Sequence, residues 1–268
     1  MDDFTIWLMH SFGGFFDAIS TGILWFLLQM ENFLFFLPWW LVLGIVFLTS
    51  WRLRNLRASV IYTTLIFIIG AFGLWDSMLQ TFSIVLTSVV ISMLIGIPLG
   101  ILMASKNLFN SFMRPVLDGM QTMPSFVYLI PAMLLFGMGK VPAVFATTIY
   151  AIPPVLRLTD LGIRNVPKEM VEASHSFGSS SWQTLTKIQL PQALPTIMTG
   201  INQTIMMALA MVVIASMIGA KGLGLNVLES IQHIDIGKGF ESGISIVFLA
   251  IIIDRLSQSF ATRFKYPE

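Results

Sequence analysis

Residues 78–101 read MLQTFSIVLTSVVISMLIGIPLGI, and no Asp, Glu, Lys or Arg interrupts this run. A helix needs about 20 predominantly apolar residues to cross the hydrocarbon core of a bilayer, which is about 30 Å thick. The run is long enough and apolar enough to do so. It therefore predicts a transmembrane helix.

The rest of the chain has the same apolar character. Of its 268 residues, 56% are hydrophobic and only 11% are charged, whereas an average soluble domain has roughly 25% charged residues. The mean hydropathy is +0.82. So few charged side chains could not cover the surface of a soluble fold of this size. The composition therefore predicts an all-α integral membrane protein and excludes the usual soluble enzymes.

The charge balance and the rare residue types exclude further functions. A formal net charge of +1 argues against nucleic-acid binding, which needs a basic surface. The chain has no Cys, which excludes disulfides, thiol catalysis and cysteine metal sites. Its three His residues are scattered, and no paired acids or Ser/His/Asp set stands out. We therefore expect no catalytic site, no metal and no cofactor in this chain.

Seven apolar stretches are predicted to be membrane spans. They lie at about residues 33–50, 58–75, 79–105, 116–137, 140–157, 196–218 and 241–260. The segment before them has aromatic residues near helical spacing between acidic ones, which is typical of an amphipathic helix in the membrane interface. The chain thus divides into an N-terminal amphipathic segment (1–32), two accessory spans (33–78), a core of five spans (79–260) and a tail (261–268).

The distribution of Lys and Arg predicts the orientation of these spans, because cytoplasmic loops carry an excess of basic residues. With the N-terminus outside and the C-terminus inside, twelve of the 15 basic residues lie inside. Only Lys140, Lys221 and Lys238 lie outside. The segment 158–195 is then cytoplasmic. The glycine-rich segment Lys221–Phe240 is external, where it either dips into the membrane or links two spans.

No acidic or basic residue lies near the middle of any predicted span. Proton-coupled carriers usually need an ionisable relay inside the membrane, and a voltage sensor needs a ladder of Arg residues. The chain also lacks the glycine-rich Walker A pattern that binds ATP. These observations favour a conduit that is driven by another protein over a secondary transporter or a channel.

The longest polar segment contains TDLGIRNVPKEMVEASHSFGSSSWQTLTKIQLPQALP at 159–195. Pro167 suits the first turn of a helix that continues to Ser176. Gly178 then ends this helix, and the serines that follow can cap a second helix that runs up to Pro191. We expect two short helices that meet at a glycine corner and project from the membrane. Trp182 either packs within this loop or anchors an interface.

This segment resembles the EAA loop of ABC-transporter permeases. The family pattern is E-A-A, three residues, G, nine residues and I-x-L-P, and Ser174 is the one departure from it. By this resemblance the loop is a coupling helix that sits in a cleft of an ATPase subunit, within a type I ABC importer permease. The residues implied to make that coupling are Glu172, Ala173, Gly178, Ile188, Leu190 and Pro191.

Four longer stretches are similar to the permeases of glycine betaine/proline transporters of the OpuAB and ProW type. They are residues 78–101, 118–132, 141–167 and 200–224. This group takes up quaternary amines for osmoprotection. The resemblance implies a multi-pass protein of the bacterial cytoplasmic membrane that assembles from two permease copies and two ATPases. The ATPases use ATP and Mg²⁺, and a separate external binding protein delivers glycine betaine or a related compatible solute.

Several methionine and aromatic residues in the spans are candidates for a soft pore lining that a quaternary ammonium could pass. We select Met123, Phe126, Tyr128, Met207 and Met211. The alternative for these five residues is ordinary packing. Gly96 and Gly100 have the same two possibilities, a gating role or close helix packing. A rival function is an importer of the same architecture for choline, carnitine or a sulfonate. The rival from another class is the secondary transporter or channel without ATP.

Overall fold

A computed structural model describes residues 2–262, with side chains for 12–261. Within these residues the chain is helical and has no strand. The helices are α1 (Asp2–Phe36), α2 (Trp39–Leu53), α3 (Leu56–Ala71), α4 (Trp75–Ser105), α5 (Asn107–Thr122), α6 (Phe126–Phe136), α7 (Lys140–Arg164), α8 (Lys168–Ser176), α9 (Ser181–Thr184), α10 (Leu190–Ala215), α11 (Leu223–His233) and α12 (Ile236–Thr262). A π-helical turn at Leu185–Gln189 and a 3₁₀ turn at Ser216–Ile218 flank α10. The predicted all-α membrane fold is confirmed.

The predicted count of seven spans is not confirmed. Among residues 2–262, five helices are long and apolar enough to cross a membrane. They are Phe12–Phe36, Trp75–Ser105, Lys140–Arg164, Ser181–Ile218 and Ile236–Ala261. The helices α5 and α6 make a sixth span if they are counted together, although they are bent by 100°. At 15 and 16 residues, α2 and α3 are shorter than the roughly 20 residues that a crossing needs.

Two of the predicted spans each contain a break in the helix at a proline. The predicted span 33–50 contains the break between α1 and α2, where Pro38 is extended with φ −63° and ψ 145°. The predicted span 116–137 contains the bend between α5 and α6, at Pro124. Proline lacks the amide hydrogen that a helix interior needs and disfavours helix in the residue before it. Both breaks lie in apolar sequence, so hydropathy alone does not reveal them.

The centre of the fold is α7, against which both α4 and α10 pack. Glycines allow the close approach: a Cβ built on Gly96 would lie 2.5 Å from Val155 Cγ1, and one on Gly100 would lie 2.6 Å from Thr159 Cβ. A Cβ on Gly200 in α10 would lie 2.9 Å from Leu158 Cβ. Gly96 and Gly100 are therefore packing residues in the sense of the small-xxx-small pattern.

Two contacts place α1 across one end of this core. The Lys140 ammonium donates to both carboxylate oxygens of Glu31, at 2.8 and 2.5 Å. The ring of Phe16 lies 6.1 Å from that of Phe136. Glu31 and Phe16 are about 22 Å apart along α1. Their partners, Lys140 and Phe136, lie on either side of the short turn between α6 and α7. The helix α1 therefore crosses the α6–α7 end obliquely. The side chains of residues 1–11, on which part of the amphipathic prediction rests, and the tail from 263 onward lie outside the described residues.

The glycine-rich segment after α10 forms α11, which packs on the beginning of α4. The Leu223 amide donates to Thr81 Oγ1 at 2.8 Å, and the Asn226 side chain donates to Ser77 Oγ at 3.0 Å. Gly222 makes the approach possible, since its φ is +131° and a Cβ there would lie 2.5 Å from Thr81 Oγ1. This segment is a helix docked on its own chain.

Candidate functional site

The segment between α7 and α10 folds into a projection that we call the knob, defined as residues Lys168–Gln189. It consists of α8, a tight turn, α9 and the π-helical turn. The predicted pair of short helices at a glycine corner is confirmed. The second helix differs in one respect, because it does not stop at Pro191. Proline is tolerated in a first helical turn, and Pro191 lies there in α10, directly after the π-helical turn.

Gly178 closes α8 in the left-handed conformation, with φ +80°. Its amide donates to His175 O at 2.9 Å, and the Ser179 amide donates to Ser174 O at 3.1 Å. These two bonds are the pair that defines a Schellman C-cap. No heavy atom lies within 4 Å of a Cβ built on Gly178. The requirement for glycine therefore comes from the backbone angle alone.

Ser180 begins α9 through a capping box. Its hydroxyl accepts a hydrogen bond from the Gln183 amide at 3.3 Å, and the Gln183 side chain accepts one from the Ser180 amide at 2.8 Å. Such a box satisfies amide groups that have no partner in the first turn of a helix. The predicted capping by this serine cluster is confirmed for Ser180.

Ser174, the residue that departs from the E-A-A pattern, ties the two helices of the knob together. Its hydroxyl lies 2.7 Å from Thr184 Oγ1, and both side chains are buried. A hydroxyl in this position needs a partner, because an unpaired buried polar group costs about 1–3 kcal/mol. Thr184 supplies that partner. Sequence reasoning missed this pair because nothing in the pattern links positions ten residues apart.

The outer surface of the knob carries two exposed aromatic side chains among polar and charged ones. Phe177 is 90% exposed and Trp182 is 71% exposed, so Trp182 does not pack within the loop. Glu172 and Ala173 are exposed beside them, and the Glu172 carboxylate has no hydrogen-bond partner among the described residues. Aromatic side chains are enriched in protein–protein interfaces. Two large rings exposed on one small projection make this surface a candidate for docking, and Ile188, Leu190 and Pro191 are half-buried at its base.

The five predicted pore residues are not brought together on one surface. Tyr128 and Met211 are buried in the core of the chain. The Tyr128 hydroxyl donates to Met120 O, and its ring lies 5.7 Å from that of Tyr150. Both side chains therefore lie inside the chain, and pore lining by them stays a prediction. Met123 and Phe126 are exposed at the α5–α6 bend, and Met207 is half-buried on α10.

Sequence reasoning also missed an apolar face that runs along α5 and α6. Its members share high exposure and lie near helical spacing: Leu108, Phe112, Val116, Met123, Phe126, Val127, Ile130 and Leu134. The i, i+4 spacing of the first three was a readable signal. The opposite side of α5 packs inward through Leu117, which is fully buried against Met103 and Leu156.

A polar cluster at the knob end of α7 was missed as well. Asp160 is 5% exposed, and its two carboxylate oxygens accept from Arg164 Nε at 2.7 Å and from the Asn110 side chain at 2.9 Å. Arg164 donates further to Asn107 Oδ1 at 2.9 Å and to Met103 O at 2.6 Å. The i, i+4 spacing of Asp160 and Arg164 was visible in the sequence. Their partners on other helices were not.

Comparison with protein families matches residues 96–266 to the family described as "Binding-protein-dependent transport system inner membrane component". The chain is 45% identical to the glycine betaine transport system permease protein OpuAB of Bacillus subtilis over 99% of this chain and 94% of that protein. It is 49% identical to the glycine betaine/carnitine transport permease protein GbuB of Listeria monocytogenes over 96% of this chain and 93% of that protein.

Solved structures show the same fold in more distant proteins. A structure of the MetNI methionine ABC transporter in an inward-facing conformation matches 70% of this chain and 94% of its own chain, with a TM-score of 0.64 and 19% identity. An amino acid ABC transporter solved with histidines matches 78% and 96%, with a TM-score of 0.57 and 21% identity. Together with the family match and the near full-length relatives, these findings show that the chain belongs to the binding-protein-dependent transport system inner membrane components, as an ABC-transporter permease.

Proposed function

We propose that this chain is the permease subunit of an ATP-driven importer for glycine betaine or a related quaternary amine, with a role in osmoprotection. The observation that carries the substrate is the identity of 45–49% over at least 96% of the chain to permeases named for glycine betaine transport. Carnitine is the second candidate, because one of these relatives is named for it as well.

The chain itself contributes no catalytic residue in this proposal. A partner ATPase binds ATP and Mg²⁺, and the knob docks into a cleft of that partner through Phe177, Trp182 and Glu172. The exposure of the two aromatic rings supports the docking, since large rings that leave water contribute strongly to binding. The Glu172 carboxylate has no hydrogen-bond partner among the described residues, so it is free to pair with a cation of the ATPase.

The assembly is proposed to hold two copies of this chain, two ATPases and one external binding protein. Each chain has one knob, so a pair of ATPases that close on ATP needs a pair of permeases. A twofold axis that relates the two copies is the symmetry that most homodimers adopt. The exposed apolar face of α5 and α6 is available to meet the second copy and to line the conduit between them.

The knob and the C-terminus are proposed to face the cytoplasm, because basic residues are concentrated on that side. The N-terminus then lies outside. The path of α1 supports this, since its contacts through Phe16 and Glu31 are with the α6–α7 end, which is the end remote from the knob. In this orientation α1 is proposed to lie obliquely in the outer interface, although its residues Phe12–Phe36 are also long and apolar enough to cross the membrane.

Single-cysteine labelling tests the orientation, and the absence of native Cys makes it clean. A cysteine at Ser180 should react with a membrane-impermeant thiol reagent only after the cells are opened. A cysteine at Met138, which is exposed in the α6–α7 turn, should react in intact cells. The reverse pattern at these two positions would contradict the proposed orientation.

The conduit is proposed to bind its solute weakly, with Met123 and Phe126 on its wall. The helix that begins at Phe126, α6, has no charged side chain, so selection falls to the binding protein. Thioether and ring surfaces offer a quaternary ammonium polarizable contacts without a fixed countercharge. A wall of this kind lets the solute leave as readily as it enters.

A competition experiment tests the substrate class. In cells that express this chain with its ATPase and binding protein, unlabelled glycine betaine should suppress the uptake of labelled glycine betaine completely. Carnitine should compete more weakly, and a sulfonate without an ammonium group should not compete. Suppression by the sulfonate at the same concentration as by glycine betaine would contradict the proposed substrate class.

A further inference from the structure

Arg164 joins the ends of three helices. It is the last residue of α7, and its guanidinium donates to Met103 O in the last turn of α4 and to Asn107 Oδ1 at the first position of α5. The last carbonyls of a helix have no partner within it, so Met103 O needs such a donor. The fork of an arginine can hold several acceptors at once in fixed geometry. One side chain therefore fixes how α4, α5 and α7 meet.

Asp160 holds that arginine in place. Both of its carboxylate oxygens are bonded, one to Arg164 and one to Asn110 on the next turn of α5. Asp160 and Asn110 are 5% and 6% exposed. The Arg164 side chain is 30% exposed, but its removal would leave the buried Asp160 carboxylate with Asn110 as its remaining partner. The cluster is therefore a joint that is anchored at its buried end by Asp160 and Asn110.

The joint lies directly beside the knob. Only Asn165, Val166 and Pro167 separate Arg164 from α8, and Val166 is buried. Arg164 also lines a cleft of about 230 Å³ together with Lys168 and Glu172 of the knob. A displacement of the knob is thus transmitted to the Arg164 guanidinium through only these three linking residues.

At its other end, α5 leads to the exposed bend at Met123–Ser125, where α6 departs at 100°. The helix α5 has 16 residues and is about 24 Å long. A small rotation at its first turn therefore becomes a larger displacement at the bend, where Met123 and Phe126 lie. The joint connects the knob to that bend through one helix, which contains Pro115 near its middle.

We infer that Asp160 and Arg164 are positioning residues that carry the motion of the knob into α5 and α6, which form the moving wall of the conduit. This inference rests on the proposed function, and it adds a route of coupling besides the direct continuation of the knob into α10. In this role neither residue needs to contact the solute or the ATPase. They act by making the start of α5 follow the end of α7.

The test replaces Arg164 by glutamine and uses Arg157→Gln as the matched control. Arg157 also links α7 to α5, through Asp118, but its ion pair is exposed, and such pairs contribute little. In the complex with ATPase and binding protein, Arg164→Gln should lower uptake about tenfold, a coupling loss within reach of single residues along such a route. ATP hydrolysis stimulated by the loaded binding protein should stay within about twofold of wild type, because the knob still docks. Arg157→Gln should retain both activities.

A second readout does not depend on solute. A single cysteine at Phe126 should change its labelling rate when the ATPases are trapped closed with a nucleotide analogue, and Arg164→Gln should remove this change. Asn107→Ala, which removes one exposed acceptor of Arg164, should reduce the change in part and keeps the inference testable if Arg164→Gln does not assemble. The inference is wrong if the labelling change persists in Arg164→Gln, or if it is undiminished in Asn107→Ala when only that variant assembles. It is also wrong if uptake and hydrolysis fall in proportion.

A wild-type complex without ATP-driven uptake would refute the proposed function, while the labelling change would still test the joint.

Discussion

Gly178→Val should abolish uptake, while the protein still inserts into the membrane, assembles and binds the solute-loaded binding protein. The left-handed backbone at this position costs an ordinary residue about 1–2 kcal/mol, and a β-branched residue there is a genuine outlier. Valine would relax to negative φ and break the two bonds that cap α8, from the Gly178 and Ser179 amides. The helix α9 would then swing relative to α8, and Phe177 and Trp182 would no longer fit one cleft. The stimulation of ATP hydrolysis by the binding protein should be lost together with uptake.

Gly73→Val is the matched control for this variant. Gly73 ends α3 with φ +72°, in a turn with the same two capping bonds and with no heavy atom within 4 Å of a built Cβ. It therefore suffers the same strain far from the knob and should retain most uptake. Glu172→Lys should reproduce the loss of uptake without any backbone strain, because it reverses an exposed charge on the docking surface. Normal uptake in Gly178→Val would show that the knob does not couple ATP hydrolysis to transport.

Gly100→Leu should prevent the protein from accumulating in folded form. A Cβ there would lie 2.6 Å from Thr159 Cβ and 2.8 Å from Leu156 O, so α4 and α7 must separate to admit it. Overpacking a tight core costs about 1–3 kcal/mol and sometimes more. The obstacle here includes backbone, which cannot rotate away. Against a total stability of about 5–15 kcal/mol for a typical protein, we expect a marked fall in yield and in Tm.

Gly44→Leu provides the comparison for that variant, because Gly44 lies in α2 with no heavy atom within 4 Å of a built Cβ. It adds the same side chain to an apolar helix and should leave the yield and the Tm of the detergent-purified protein near wild type. Equal Tm values for the two leucine variants would contradict the close packing of α4 on α7.

The knob was predictable from the sequence because its signals are local. Gly178 occupies the position that needs a positive φ, and Ser180 caps the next helix. The helix end expected at Pro191 was wrong, because the chain stays helical through this residue. Each of these roles depends on backbone chemistry within four residues. The glycine pair in α4 was predictable as a contact for a similar reason, although its partners Val155 and Thr159 were not.

The faces of the spans were not predictable, because the membrane removes the usual signal. A helix between water and a core alternates polar and apolar faces, whereas lipid and protein core are both apolar. Tyr128 and Met211 therefore looked as suitable for a pore as Met123 and Phe126, yet only the second pair is exposed. The breaks at Pro38 and Pro124 were hidden in apolar sequence in the same way.

The joint formed by Asp160 and Arg164 was out of reach for a different reason. Its meaning depends on Met103, Asn107 and Asn110, which are about 50–60 positions away along the chain and arrive there only through the turn between α4 and α5. Polar residues near a predicted span end are expected in any membrane protein. Only the three-dimensional contacts distinguish a joint between helices from the polar residues that are usual at the end of a membrane span.

The most direct test of the account is the uptake of labelled glycine betaine by liposomes that contain this chain and its ATPase. The binding protein is supplied on the side opposite the ATPase. We expect the solute to accumulate on the ATPase side against its gradient only when Mg·ATP is present there, and we expect Gly178→Val to remove that accumulation. Equal accumulation without ATP, or accumulation driven by an ion gradient alone, would contradict the account.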